Sequence, residues 1–162
     1  MSYNAGLPVK FYGVSHVTAT LTSRHPQLGE ETYDADGNKY VWAYNAGNSE
    51  IGKGFGCVLQ SGVSTAYSMT LSAVTSADLV VGVVKHTSIP TSNYGFLLTR
   101  GVGVAEMGAT SGSVASRGLL EIGANGVWVP TSLTTGNKAP AVGQALEAIV
   151  SSASGSAFFS IY

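Results

Sequence analysis

The near-regular spacing of turn-forming residues most constrains what this chain can fold into. From Tyr33 onward, Gly, Asn, Asp, Ser and Pro interrupt short apolar or alternating runs, which is the punctuation of an all-β domain. The clearest instance is Asp34-Ala35-Asp36-Gly37-Asn38 followed by Lys39-Tyr40-Val41-Trp42-Ala43-Tyr44. Asp-Gly supplies the positive φ of a tight primed hairpin turn, and strand alternation then places Tyr40, Trp42 and Tyr44 on one face, to be buried or to grip a neighbour. Further strands are predicted at 56–60, 67–71, 79–86, 94–100 and 102–107. Two arms at 119–122 and 127–129 flank Gly123-Ala124-Asn125-Gly126, a second Asn-Gly turn, and the chain closes with strands at 144–150 and 157–162. Helix formers occur together only at 139–151, where Gly143 and the missing acidic first turn favour strand. About eight to ten short strands in one domain predict an all-β fold, a small β-barrel or a β-tulip/sandwich, because closure removes aggregation-prone edges.

Residues 1–31 read differently. Tyr3, Phe11 and Tyr12 stand with His16, His25, Pro8 and Pro26, and neither a helical nor an alternating period holds across them. They are expected to form an extended N-terminal arm, with one strand at 14–22, ahead of a β-barrel domain at 32–162. The start of the chain lacks a charged region followed by an apolar one, so no secretion signal is expected.

Charge is the next constraint. Only 10% of the residues are charged, against about 25% in a typical soluble domain, and eight cations balance nine anions for a net charge of −1. That balance gives no positive field for displacing counterions, so nucleic acid is not an expected partner. From Ser61 to the end, the charges are Asp78, Lys85, Arg100, Glu106, Arg117, Glu121, Lys138 and Glu147 alone. A surface of Ser, Thr, Gly and Ala with so little charge suits close, dry contact with copies of itself or with a large static partner. The charge-free stretch between Lys53 and Asp78 contains Gln60 and several Ser and Gly residues, too polar for a membrane-spanning helix, so no membrane association is expected.

No motif anchors catalysis. Gly52-Lys53-Gly54-Phe55-Gly56 has neither the spacing of a phosphate-binding loop nor that of a dinucleotide fingerprint. Lys53 to Val58 overlaps an RNA-recognition octamer, but Cys57 and Gln60 replace two of its three stacking aromatics. The simpler reading is a glycine-rich entry to a strand, with Phe55 packing inward. Asp34-x-Asp36-Gly37 resembles the start of a calcium loop, yet the position of its bidentate Glu holds Asn45. His16, His25 and His86 are scattered, and Cys57 is the only cysteine, so neither a metal site nor any cofactor is expected. The carboxylates are equally dispersed, and no G-x-S-x-G elbow occurs.

Several runs carry a resemblance: R-H-P-Q-L-G-E from Arg24, D-G-N-K-Y-V-W-A-Y-N-A-G-N-S-E-I from Asp36, V-V-G-V-V-K-H from Val80, Y-G-F-L-L-T-R-G from Tyr94, and G-L-L-E-I-G-A-N-G-V-W-V-P from Gly118. Together these resemble the capsid decoration, or cement, proteins of tailed bacteriophages over most of the chain. The resemblance implies a small β-barrel or β-tulip on the outer surface of the virion capsid, commonly a homotrimer, with an N-terminal arm reaching over the major capsid protein or a neighbouring copy. It implies synthesis in the host cytoplasm and stabilisation of the capsid by bridging its subunits, with no enzymatic activity. On that reading Tyr3, Phe11, Tyr12, His16, Arg24 and His25 contact the capsid or a neighbour, while Tyr40, Trp42 and Tyr44 pack in the core or between subunits.

Two other functions compete. A ligand- or glycan-binding β-barrel of a phage head fibre or tail would expose Tyr40, Trp42, Tyr44 or Trp128 as stacking platforms. A single-stranded nucleic-acid binder would be built around Lys53 to Val58.

Overall fold

A computed structural model describes residues 20–21, 28–60, 68–70, 79–109, 112–131 and 142–161. In chain order the strands are β1 (Thr20–Leu21), β2 (Glu31–Tyr33), β3 (Lys39–Asn45), β4 (Gly56–Leu59), β5 (Ser68–Thr70), β6 (Val80–Val83), β7 (Tyr94–Glu106), β8 (Leu119–Ile122), β9 (Trp128–Pro130), β10 (Gly143–Ala145) and β11 (Ser154–Ser160). Among the described residues the only helical element is a 3₁₀ turn at Ala124–Gly126. The fold is all-β, as the turn punctuation predicts.

Five strands close into a ring. β3 pairs with β5, β5 with β4, β4 with β6, β6 with β7, and β7 returns to β3. Only the β3–β5 pair is parallel. β7 is long enough to serve two structures: its first half, through Arg100, lies along β3, and its second half leaves the ring to pair with β11. From β11 the sheet continues through β10 and β8 to β9. The molecule is therefore a five-stranded barrel with a second sheet growing from one of its staves.

Two cores follow from this layout, because a strand offers one face to each side. Val41, Ala43, Cys57, Met69, Val81 and Leu97 come from all five ring strands and, with Ile51, Val84 and Ile89, fill the barrel. Tyr40, Trp42, Val58, Val83, Phe96 and Leu98 face outward from the same strands and meet Leu120, Ile122, Trp128, Ala145, Ala157 and Phe159 of the second sheet. In β6 the register slips, so that Cys57 pairs with Gly82 but Val58 with Val80. The extra residue is a bulge that breaks alternation, sending Val81 and Val84 inward and Val80 and Val83 outward.

The structure corrects several local expectations. The strands expected at 94–100 and 102–107 are one, since Gly101 takes φ +129° within the ladder, opposite Phe159, without reversing the chain. The first hairpin is not a two-residue primed turn. Only Gly37 has positive φ, at +79°, with Gly37 N–H donating to the Asp34 carbonyl and Asp34 N–H to that of Asn38, as in a three-residue loop. The strand expected at 144–150 is confined to β10, with Ile149 forming only a single bridge to Val114. At the second turn, Asn125 and Gly126 both take positive φ, 58° and 76°, as Asn-Gly predicts.

Of residues 1–31, the described ones are joined to the sheet. β1 pairs with Gly95 and Tyr94 of β7, Leu28 packs on the outer core, and Gly29 N–H donates to the Trp42 carbonyl.

Candidate functional site

The polar centre of the molecule is built on the first hairpin. Asp34 is 8% exposed, and its carboxylate accepts four hydrogen bonds. Oδ1 takes the backbone N–H groups of Asp36 and Asn38 at 3.0 and 2.9 Å, and Oδ2 takes the Asn38 amide and the Tyr40 hydroxyl at 2.8 and 2.7 Å. Lys85 Nζ lies 3.6 Å from Oδ2 and 5.7 Å from the Tyr40 ring centroid. Burial by itself would raise the Asp34 carboxyl. The hydrogen bonds from Asn38 and Tyr40 and the Lys85 charge outweigh it and bring the group down to about 2.

These contacts fix the protons further out. Burial, and then the Asp34 carboxylate, push the Tyr40 phenol well above its ordinary range, so it stays protonated and donates to Asp34. Its oxygen is 3.2 Å from His86 Nε2. With the phenolic proton already committed, Nε2–H must be the donor there, which leaves Nδ1 as the bare nitrogen of a neutral ring. Burial and the Lys85 charge, with a smaller push from Lys53 against the pull of Asp34, lower the His86 pKa.

Over this network opens a cleft of ≈ 520 Å³. It is lined by Asp36 and Asn38 of the first hairpin, by Lys53, Lys85 and His86, and by Val102, Gly103 and Val104 of β7 with Ser156 of β11. Lys53 rides a turn closed by Phe55 N–H on the Gly52 carbonyl, with Gly54 at φ +86°. Asn38 latches the hairpin to the second sheet by accepting the Val102 N–H at 2.9 Å. A Cβ on Gly101 would collide with the Asn38 side chain, so the latch requires glycine there.

Tyr40 and Trp42 are fully buried in the outer core, whereas Tyr44 is half-buried with its ring 4.8 Å from that of Tyr94. Trp42 lies 4.6 Å from Phe96 and stacks at 10° on Tyr94. Trp128 is also fully buried, donating its indole N–H to the Gly54 carbonyl at 2.8 Å. Tyr40, Trp42 and Trp128 thus present no exposed stacking platform. Tyr3, Phe11, Tyr12, His16, Arg24 and His25 lie outside the described residues. Phe55 packs against the barrel interior and Cys57 is inside it, so neither stands as a base-stacking surface. Among the described residues no three His, Cys, Asp or Glu side chains converge on a metal position, and no helix is long and apolar enough to cross a membrane.

On the outer face of the second sheet, cross-strand register assembles an apolar row. Val102 pairs with Phe158, Phe158 with Gln144, and Gln144 with Leu119. Val102, Phe158 and Leu119 are 45, 38 and 44% exposed. The row was not foreseen from sequence, because it depends on which strands become neighbours. The cleft was missed for the same reason, although a Lys-His pair directly after the apolar run 80–84 is the kind of local signal that marks a strand end facing solvent.

No protein-family model and no curated protein sequence matches this chain. A solved structure does match: the head fiber gp8.5 N base of bacteriophage phi29, with a TM-score of 0.52 over 75% of this chain and 94% of that one. The two share a fold. Their sequence identity is 12%, so the likeness is one of architecture, and function must be argued from the chain's own surfaces. The match is to a head fibre rather than to a decoration protein.

Proposed function

We propose that the chain is a structural protein of a bacteriophage head, carried on the outside of the capsid. The observation that carries this reading is the fold shared with a phage head-fibre base. Charge-poor composition and the apolar row Val102, Phe158 and Leu119 support it, since both favour contact with a large, static protein surface. The role needs no catalytic group and no cofactor. Its mechanism is added interface area: each copy bridges subunits of the major capsid protein, and many weak contacts on a closed shell act together by avidity and by mass action on the assembled form. Residues 1–19, with Tyr3, Phe11, Tyr12 and His16, supply capsid or neighbour contacts in this proposal, and Arg24 and His25 extend them. A homotrimer is the proposed assembly.

The head-fibre match favours a second reading, in which the domain is a base that attaches a fibre without stabilising the shell. One experiment separates the two. The purified full chain is incubated with expanded heads lacking it, and both co-sedimentation and the heat resistance of the heads are measured. Binding with raised heat resistance supports bridging, binding without it supports a fibre base, and no binding refutes a head-surface role. Deletion should stop at residue 19, because β1 and the residues from Leu28 onward are joined to the sheet. The truncated chain is expected to fold and to lose binding; retained binding would refute the role of the arm. Light scattering after size exclusion should give a mass near three times 16.6 kDa.

A further inference from the structure

The ammonium of Lys85 poses the chemical question in the cleft. The side chain is 19% exposed, and it lies just beyond hydrogen-bond distance of an Asp34 carboxylate that already accepts four hydrogen bonds. Among the described residues none of its three N–H groups has an acceptor. An ammonium so placed can direct these donors to a group that enters the cleft in place of water. Lys53, which lines the same cleft, is exposed and makes no ion pair among the described residues, and His86 Nδ1 has no partner among them either. Hydrogen-bond donors left open on two lysines, one of them ion-paired with Asp34, and an uncommitted ring nitrogen therefore line one cleft.

The charge balance of the cleft selects the ligand. The charged groups that act on His86 are Lys85, Asp34 and Lys53, and Asp36 also lines the cleft; the lining residues of β7 and β11, Val102, Gly103, Val104 and Ser156, are neutral, and the carboxylate that accepts the Ser156 N–H, Glu147, is fully exposed and outside the lining. Two cations and two anions balance while His86 is neutral. One further negative charge is balanced in turn if His86 gains a proton at Nδ1, whereas a dianion would leave an excess in a partly desolvated site. Val102, which lines the cleft, and its exposed cross-strand neighbour Phe158 offer an apolar surface that suits the carbon skeleton carrying the anion.

We propose that this cleft binds a monoanionic carboxylate between the ammonium groups of Lys53 and Lys85, and that His86 takes up one proton as it binds. Nδ1 changes from acceptor to donor in that step, while Nε2–H keeps its bond to Tyr40. The inference stands on the cleft alone and does not require the head-surface role. A glutamate side chain and a uronic acid both carry the chemistry.

The test follows the His86 ring by NMR in the full chain, with its signals assigned using His86→Gln. N-acetylglutamate α-amide and glucuronate are the carboxylate probes; N-acetylglutamine α-amide and sulfate are the comparisons. At least one carboxylate should give a saturable shift of the His86 signals, the neutral amide should give none, and sulfate should bind more weakly. The His86 pKa should rise on saturation, so that affinity strengthens by up to about tenfold per pH unit as pH falls between the free and bound values. Lys53→Gln, at an exposed position, should weaken binding about threefold or more without loss of fold. The better carboxylate identifies the source, protein or sugar. No saturable shift, equal binding of the neutral amide, tighter binding of sulfate, a pH-independent affinity, or unchanged affinity in Lys53→Gln would each overturn the proposal.

Discussion

The two cores of this protein share their strands and differ in almost everything else. Among the described residues, those buried inside the barrel are Val, Ile, Ala, Leu, Cys and Met, with Phe55 only partly buried beside them. Outside, between the barrel wall and the second sheet, lie both tryptophans, Tyr40, Phe96 and Phe159. Geometry explains the division. About eight strands are needed before a barrel interior is just filled by side chains of ordinary size, and five leave much less. Two sheets packed about 10 Å apart leave room for aromatic rings. The ring supplies closure, and the outer core supplies most of the large buried area.

The largest expected effect breaks the outer core alone. Trp128 is buried against Gly56, where a Cβ would sit 2.8 Å from its ring, and it bonds the Gly54 carbonyl. Trp128→Ala is expected to cost about 3–5 kcal/mol in denaturant unfolding. Next comes the latch between hairpin and second sheet. Gly101→Ala forces an L residue to φ +129° and drives a methyl into Asn38, for an expected loss of about 2–4 kcal/mol and a lower unfolding midpoint.

The same latch should titrate. Asp34 is depressed from 3.8 to about 2 in the folded protein, so its contribution is fully present above the unfolded value and is lost as pH falls from about 4 to about 2. That loss is about 2 kcal/mol, and Asp34→Asn should flatten this part of a stability–pH curve. His86, whose folded pKa is lowered, adds an earlier decline below its unfolded value of 6.5. The smallest effect compares the tryptophans. Trp128 N–H has a carbonyl partner, whereas the buried Trp42 N–H has none among the described residues. Trp128→Phe should therefore cost about 1 kcal/mol more than Trp42→Phe in parallel unfolding curves.

Sequence made the strands legible because turn chemistry and alternation are local. β3, β4, β8 and the Asn125-Gly126 turn lie close to where their residues predict them. Closure was legible only as a class, since nothing local shows that β7 pairs with both β3 and β11. Gly101 reads as a strand break because a positive φ usually reverses the chain; here it makes room for a side chain from a hairpin some sixty residues earlier. Tyr40 reads as core or interface, but its hydroxyl links Asp34 to His86, 46 positions further along. Asp34 itself reads as a turn residue, and it is one. Its second task depends on Lys85, which only the fold brings near.

The ring closes through pairings that use no strand of the sheet built on its wall, and on this account it holds together without that sheet. Cys57 tests this, because it is fully buried inside the barrel and burial holds its thiol well above the usual range. Its labelling by a thiol reagent under native conditions, in the wild type and in Trp128→Ala, reports barrel opening. A self-contained ring predicts a rate that rises far less than the loss of total stability implies. If the two cores open as one unit, labelling should accelerate by the full factor, about a hundredfold or more for 3 kcal/mol, and that result would contradict the division.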